Sequence, residues 1–245
     1  LLNTANDIFS VGYYQRPDLP FLGNAAADWT VCDNYYAAIM GPTYPNRFYL
    51  HSAATDRTTD ALTTCKLPTI WDRLAAKGIS RRYYYTDTSF LMLYGFFKYL
   101  TISYKVSQFY TDCKNGTLPA VSYIDPGFNG ESTGTSNDDH PHGDIRNGEY
   151  FLNQVYNAVT TSPNWSSTVL VITFDEWGGF FDHVPPPLVA DSVPGVAADS
   201  VVNGQNMYLR GFRVPTIIIS PFAQRGAVSH TLFDHTSVLK MIENR

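Results

Sequence analysis

Two carboxylates stand side by side directly after an apolar segment. Asp175 and Glu176 follow residues 168–174, which are almost entirely apolar. Adjacent carboxylates repel each other, and a metal ion or an arginine usually offsets the repulsion. Two glycines come next, and they would let the polar pair Asp182 and His183 return to the same place. The segment therefore predicts a candidate metal or acid–base site, although the acidic pair alone also fits a solvated loop.

A hydroxyl at a predicted helix start is the second candidate group. Residues 41–47 read Gly-Pro-Thr-Tyr-Pro-Asn-Arg, and a helical pattern continues through residues 48–51. Thr43 is at the expected N-cap and Pro45 lies in the first turn, so capping alone would account for the threonine. The functional alternative is a nucleophile beside an anion site, because the free N–H groups of a helix start bind phosphate oxygens.

Histidines in loops form the third candidate group. His140 and His142 precede a predicted helix, His183 follows the acidic pair, and His230 and His235 flank the start of the last predicted helix. A single histidine is more often structural than catalytic, but five in such loops favour a shared site. Their spacings match no zinc-protease motif, P-loop or Gly-x-Ser-x-Gly elbow.

The elements that must position these groups alternate between helix and strand. Residues 168–174 are apolar on both faces, which is typical of a central parallel strand covered by helices. An alternating pattern predicts a doubly wound α/β fold whose ligands bind at the carboxyl ends of the strands. The predicted helices are 68–78, one carrying Phe151 to Val159, and one from His235 onward. The predicted strands are 82–85, 120–124, 168–174 and 214–219, and residues 127–143 are predicted to be a loop.

Composition limits the classes of function. The 245 residues include 17 Lys+Arg and 22 Asp+Glu, a net charge of −5, and no basic run that would favour nucleic acid. No apolar run reaches the roughly 18 residues needed to span a membrane. Three cysteines permit at most one disulfide and match no zinc spacing. The low share of charged residues weakly favours a secreted or periplasmic protein.

Together, five segments resemble one family. The chain is similar to the bacterial-type phosphoesterase family, which contains non-specific phospholipases C and related acid phosphatases of the alkaline-phosphatase-like superfamily. The similarity rests on residues 43–47, 138–141, 175–187, 213–221 and 228–237. These segments follow the family's order and spread over nearly all of the chain.

The resemblance implies a three-layer αβα sandwich with a mostly parallel central sheet, formed as a single phosphoesterase domain over residues 1–245. It implies a hydrolase that forms a covalent phosphothreonine intermediate and uses one divalent metal ion of unknown identity. Asn46 and Arg47 belong to the nucleophile motif, where setting its turn would be a sufficient role. The site residues that the resemblance implies are Thr43, His140, Asn46 and His183 as catalytic residues and Asp175 and Glu176 as metal ligands.

One departure from the family concerns the start of the chain. Family members carry a Glu-Asn motif, followed by Ser/Thr-Phe-Asp, after their first strand, and this motif helps to hold the metal. The sequence contains no such motif. We therefore expect the chain to lack the family's N-terminal strand and its C-terminal extension, and its site to be incomplete on its own.

The expected substrate is a phosphate ester, with a phospholipid cleaved in the manner of phospholipase C as the first choice. Hydrolysis of phosphomonoesters by an acid phosphatase and binding of phosphorylated ligands without turnover are the alternatives. A sulfatase-like relative is a weaker alternative, because its modified-cysteine signature is absent. The many aromatic residues would form either an apolar wall for lipid or, as we prefer, the core. They include Tyr83, Phe90, Phe96, Phe97 and Trp177.

Overall fold

A computed structural model describes residues 8–141, 143–190, 200–202 and 204–244 of the chain. His142, a candidate site residue, lies outside the described residues. The α-helices are α1 Leu22–Asp28, α2 Thr43–Ser52, α3 Ile70–Ala76, α4 Val106–Asn115, α5 Ile145–Thr160 and α6 His235–Glu243. The strands are β1 Thr30–Cys32, β2 Tyr35–Tyr36, β3 Arg81–Tyr85, β4 Ser103–Lys105, β5 Val121–Ile124, β6 Leu170–Thr173, β7 Leu188–Ala190, β8 Ser200–Val202, β9 Gln205–Leu209, β10 Thr216–Ile219, β11 Ala227–Ser229 and β12 Phe233–Asp234.

The strands form parallel and mixed sheets. β3 lies between β4 and β5, and both pairings are parallel. A four-stranded sheet has the order β11-β1-β10-β6, in which β1 and β11 are parallel. β12 and β2 form a short parallel pair, and β7, β9 and β8 form a small antiparallel sheet. Helices combined with parallel sheets confirm the predicted α/β class.

The pairing of β6 differs from its prediction. Its hydrogen-bonded partner is β10, the two strands run antiparallel, and Ile172 lies opposite Ile217. β6 also stands at one end of its sheet's strand order. Full burial is confirmed for one face only, since Leu170 and Ile172 are buried whereas Val171 and Thr173, which point to the other face, are half-buried. An apolar run does not specify the direction of a neighbouring strand, so the prediction of parallel pairing for this strand was wrong.

Two apolar clusters lie on opposite sides of the parallel sheet. Successive strand residues point to opposite faces, and Tyr83 belongs to one cluster while Tyr84 belongs to the other. The Tyr84 cluster includes residues of α1, α4 and α5, and the Tyr83 cluster includes residues of α2, α3 and α6. Both tyrosines are fully buried, which is the arrangement expected of a sheet covered by helices on both faces.

Side-chain caps fix where three helices begin. Thr69 caps α3 by accepting a hydrogen bond from the Asp72 N–H, Asp144 caps α5, and Asp234 caps α6. Pro42, rather than Thr43, is in the N-cap position of α2, so that prediction was wrong by one residue.

The three cysteines are free and buried. Within the described residues, no helix has the length and apolar character needed to cross a membrane.

Candidate active site

Thr43 is the first residue of α2 and is half-buried. Among the described residues, no side chain or backbone group hydrogen bonds to its hydroxyl. The next residue, Tyr44, donates its backbone N–H to Oδ1 of Asp60 at 2.7 Å. The helix start therefore presents an unengaged hydroxyl next to an N–H group that already binds a carboxylate, as the first turn of a helix favours.

Asn46 fastens the chain before α2 to the helix. Its Nδ2 donates to the carbonyl oxygens of Gly41 at 2.9 Å and of Ile39 and Pro42 at 3.2 Å, and its Oδ1 accepts from the Ile39 N–H at 3.1 Å. The side chain is fully buried. Asn46 therefore holds the loop that carries Thr43 through its amide. A direct catalytic role for Asn46 stays a prediction.

Arg47 connects the same helix to the end of β5. Its Nη2 lies 2.5 Å from Oδ2 of Asp125, the residue that follows β5, and donates to the Tyr83 hydroxyl at 2.9 Å. The guanidinium also packs over the rings of Phe90 and Phe128. Burial lowers the pKa of Arg47, but Asp125, the neighbouring tyrosines and Asp175 raise it well above its usual value. Arg47 is thus a buried cation held by several groups at the strand ends.

Asp175 lies within electrostatic reach of Arg47. Its side chain keeps some exposed surface, yet it is densely surrounded by protein. Burial raises the pKa of Asp175 to about 7, Arg47 opposes this shift, and Glu176 adds to it. Asp175, which follows β6, and Arg47, which lies on α2, are therefore close enough for their charges to interact.

Glu176 extends this set of charges toward His140. Burial raises the pKa of Glu176, hydrogen bonding from the Gly178 N–H and the charge of His140 oppose the shift, and Asp60 adds to it. Asp60 is the residue that binds the Tyr44 N–H. The structure thus brings Asp175, Glu176 and His140 to the same region as the start of α2.

His235 holds the backbone of the acidic pair by a hydrogen bond. It is fully buried, its Nε2 lies 2.6 Å from the backbone oxygen of Asp175, and its Nδ1 lies 3.3 Å from the Tyr35 hydroxyl. Burial lowers the pKa of His235 to about 4. The ring is therefore neutral at pH 7, and Nε2 must carry the proton because a carbonyl oxygen only accepts.

His183 is not brought to this group. Its side chain is 86% exposed, and its Nδ1 lies 3.6 Å from Asp182. Asp182 in turn binds the guanidinium of Arg213 through two hydrogen bonds, at 2.7 and 2.9 Å. Among the described residues, no contact joins His183 to Thr43 or Asp175. Asp182 thus anchors the loop to the chain before β10, while His183 stays exposed.

Sequence reasoning did not identify three contributors to the site. Asp125 follows a strand, as Asp175 does, and could have been found by the same rule. For Arg47 the sequence indicates only a role in setting the turn of the nucleophile motif. Asp60 lies in a segment without periodicity. Nothing local indicates that Asp60 reaches α2, because that contact depends on the path of the chain between them.

The residues present do not by themselves form a complete metal site. In the part of the chain that the structure describes, no three His, Cys, Asp or Glu side chains are grouped so that they could hold a metal ion. Asp175 and Glu176 supply two carboxylates whose raised pKa values show that their charge is not fully compensated. Their role as metal ligands stays a prediction.

The aromatic residues divide between core and surface. Tyr83 and Phe90 are buried, as expected of core residues, whereas Phe96 and Phe97 are 56% and 77% exposed. Trp177, beside the acidic pair, packs edge-on against Phe212 with ring centroids 5.5 Å apart. The prediction of a core position is correct for Tyr83 and Phe90 and wrong for Phe96 and Phe97.

Comparison with known proteins defines the class. The chain matches the Phosphoesterase family over residues 2–245 and belongs to that family. It is 34% identical over 244 residues to non-specific phospholipase C5 of Arabidopsis thaliana, an alignment that covers 91% of the chain and 46% of that protein. It is 29% identical over 296 residues to hemolytic phospholipase C of Pseudomonas aeruginosa, covering 96% of the chain and 40% of that protein. The chain thus spans less than half the length of these relatives.

Solved structures support the fold. A protein in the alkaline phosphatase superfamily from Vibrio parahaemolyticus aligns with a TM-score of 0.56 and 11% identity, covering 92% of this chain and 60% of its own. Lipoteichoic acid synthase LtaP from Listeria monocytogenes aligns with a TM-score of 0.59 and 9% identity, covering 93% and 65%. The predicted alkaline-phosphatase-like fold is therefore confirmed.

Proposed function

We propose that the protein hydrolyses phosphate esters, with Thr43 as the nucleophile. The observation that carries the proposal is the unengaged Thr43 hydroxyl at the start of α2, the helix whose Arg47 interacts with Asp175. In the first turn of α2 the Tyr44 N–H is taken by Asp60 and Pro45 has no N–H. The Thr43 N–H and the positive end of the helix dipole are therefore what this helix start offers to a phosphoryl group. Membership of the Phosphoesterase family supports the same chemistry.

The chemistry proceeds in two steps. The Thr43 oxygen attacks phosphorus and gives its proton to water, and the bond between phosphorus and the alcohol oxygen breaks. His140 donates a proton to the departing alkoxide. A water molecule then attacks the phosphothreonine and gives a proton to the now neutral His140, and the released Thr43 oxygen takes up a proton from water. Asp175 and Glu176 are the proposed ligands of a divalent ion, whose positive charge would favour deprotonation of the Thr43 hydroxyl.

A phosphodiester of the phospholipid type is the proposed substrate. The relatives named above carry the name phospholipase C, and this is the reason to place diesters before monoesters. Hydrolysis of monoesters and binding without turnover are the alternatives. We also propose that the protein is secreted or periplasmic.

Substitution of Thr43 tests the nucleophile. We expect Thr43→Ala to lower kcat by about 10³-fold or more, and Thr43→Ser to retain most activity because it keeps a hydroxyl. The measurement is release of p-nitrophenol from its phosphocholine diester and its phosphate monoester by the intact protein. Circular dichroism of both variants controls for folding. Activity of Thr43→Ala like that of the unsubstituted protein would reject the nucleophile.

The same assay distinguishes the substrates. Release from the phosphocholine ester supports the phospholipase C activity, and release from the monoester alone supports a phosphatase. Release from neither ester by a folded, intact protein that binds inorganic phosphate would favour the binding alternative. A second series with a chelator tests the metal, since a requirement for it predicts loss of activity and recovery on adding back a divalent ion.

A further inference from the structure

The turn at residues 138–141 lies against a glycine of α5. A Cβ built on Gly148 would overlap Oδ1 and Cγ of Asp139 and lie 2.8 Å from Oδ2. Gly148 lies inside the helix, where glycine costs about 1 kcal/mol relative to alanine. The space that a side chain at position 148 would fill is thus occupied by the carboxyl group of Asp139.

The other side of the same turn lies against a second glycine. A Cβ on Gly178 would lie 3.1 Å from Cγ of Pro141. Gly178 has φ of +67° and donates its N–H to Glu176 at 2.8 Å. The turn is therefore held between α5 and the loop that carries the acidic pair, with His140 between its two contact residues.

Asp139 has a left-handed backbone and a buried carboxyl oxygen without a partner. Its φ is +64°, a left-handed value that non-glycine residues other than Asn and Asp seldom adopt. Its Oδ1 is buried and has no hydrogen-bond partner among the described residues. Burial, with Glu149 and Asp138 nearby, raises the pKa of its carboxyl to about 7. A buried carboxyl oxygen without a partner costs free energy, so the surrounding packing must hold it in place.

We propose that Asp139 is a positioning residue whose carboxyl group, seated on Gly148, orients the turn so that His140 is held at the loop that carries Glu176. The proposal rests on the proposed function, because His140 is the acid of that reaction. The shape of the Asp139 carboxyl group, rather than its charge, positions the turn, since the group fills the space of a Cβ atom on Gly148. His140 is also tied to the turn itself, as its backbone N–H donates to Asp138 at 3.3 Å.

Four variants of the intact protein test this proposal. Gly148→Ala adds a methyl group where the carboxyl lies and displaces the turn. Asp139→Gly removes the carboxyl but keeps the left-handed backbone, and the double variant exchanges one group for the other. Asp139→Asn keeps shape and backbone and removes the charge. Gln154→Ala, at an exposed position of α5, is the matched control for a substitution in this helix.

Two readouts are needed. We expect Gly148→Ala to lower kcat by about 10–100-fold with KM within about threefold, because a displacement near 1 Å has that effect on a positioned group. We expect kcat of the double variant to return to within about fivefold of the unsubstituted protein's value. We expect kcat of Asp139→Asn and of the control to stay within about threefold of that value. In protein with isotope-labelled histidine, the His140 resonance, identified by its loss in His140→Gln, should shift in Gly148→Ala and return in the double variant. The resonance of His183, which is 86% exposed, should stay in place.

The outcomes separate the two proposals. An unshifted His140 resonance with unchanged kcat in Gly148→Ala, or a loss that the double variant does not reverse, would overturn the positioning role. If Gly148→Ala does not fold, Asp139→Gly decides, since an unshifted His140 resonance there also overturns it. A shifted and restored resonance in a protein that hydrolyses neither ester would reject the proposed function and keep the positioning role.

Discussion

Neighbouring residues of one motif have different tasks in the candidate site. Thr43 has no hydrogen bond to its hydroxyl among the described residues, whereas the amide of Asn46, three residues later, is engaged by four backbone contacts. A group that must react needs a free atom, and a group that must hold a loop needs its atoms occupied. The motif therefore combines a reactive position with the residue that fixes it.

Replacing Asn46 tests its holding role. We expect Asn46→Ala to lower the free energy of unfolding by about 2–4 kcal/mol, because it leaves buried backbone groups unsatisfied. We also expect a lower kcat, since the loop before Thr43 loses its attachment. Urea unfolding measures the first effect, and Asn153→Ala on the exposed face of α5 is the control. Unchanged stability with lost activity would instead indicate a direct catalytic role.

At the scale of elements, helix starts and strand ends come together. α2 begins beside the residues that follow β5 and β6, and α6 begins at His235, which holds the backbone of Asp175. The position of α6 depends on Asp234, which caps it and pairs with Arg210 at 2.9 Å. A capping residue at one helix thus helps to fix the acidic pair after a distant strand.

Substitution of Asp234 tests this dependence. We expect Asp234→Ala to cost about 2–4 kcal/mol of stability, since it removes a cap worth about 1 kcal/mol and the carboxylate that pairs with a buried arginine. Asp234→Asn keeps an oxygen for the Thr236 N–H and should recover about 1 kcal/mol of the loss. Urea unfolding at pH 7 compares the three proteins. Equal stability of the alanine variant and the unsubstituted protein would contradict the argument.

At the scale of the whole molecule, His51 is a second fully buried histidine besides His235. The His51 ring is fully buried among aromatic residues, with the Tyr123 ring centroid 4.7 Å and the Trp71 centroid 5.9 Å away. Neither ring nitrogen has a hydrogen-bond partner among the described residues. Burial, and then Arg47, lowers the pKa of His51 well below its usual 6.5. The folded protein therefore keeps this ring neutral where the unfolded chain protonates it.

This difference predicts sensitivity to acid. Below pH 6.5 the unfolded state binds a proton at His51 that the folded state does not, so stability falls by up to about 1.4 kcal/mol per pH unit from this residue. We expect His51→Phe to flatten the fall in stability between pH 6.5 and 5, whatever its effect at pH 7.5. Urea unfolding at several pH values measures the slope, with exposed His183→Phe as the control. An unchanged slope in His51→Phe would show that His51 does not cause the loss.

The sequence by itself determined the α/β class and the residue types that follow the strands. It also indicated helices α2, α3, α5 and α6 and strands β3, β5, β6 and β10. These features depend on local periodicity and capping, which a short window of sequence contains. Tertiary structure decided that β6 pairs antiparallel with β10 and that Arg47 pairs with Asp125. It also decided that His140 comes within electrostatic reach of Glu176 while His183 remains exposed. Such contacts join residues that are far apart in the chain. They depend on the order of strands in the sheet and on which charged groups are buried together, and a local sequence pattern specifies neither.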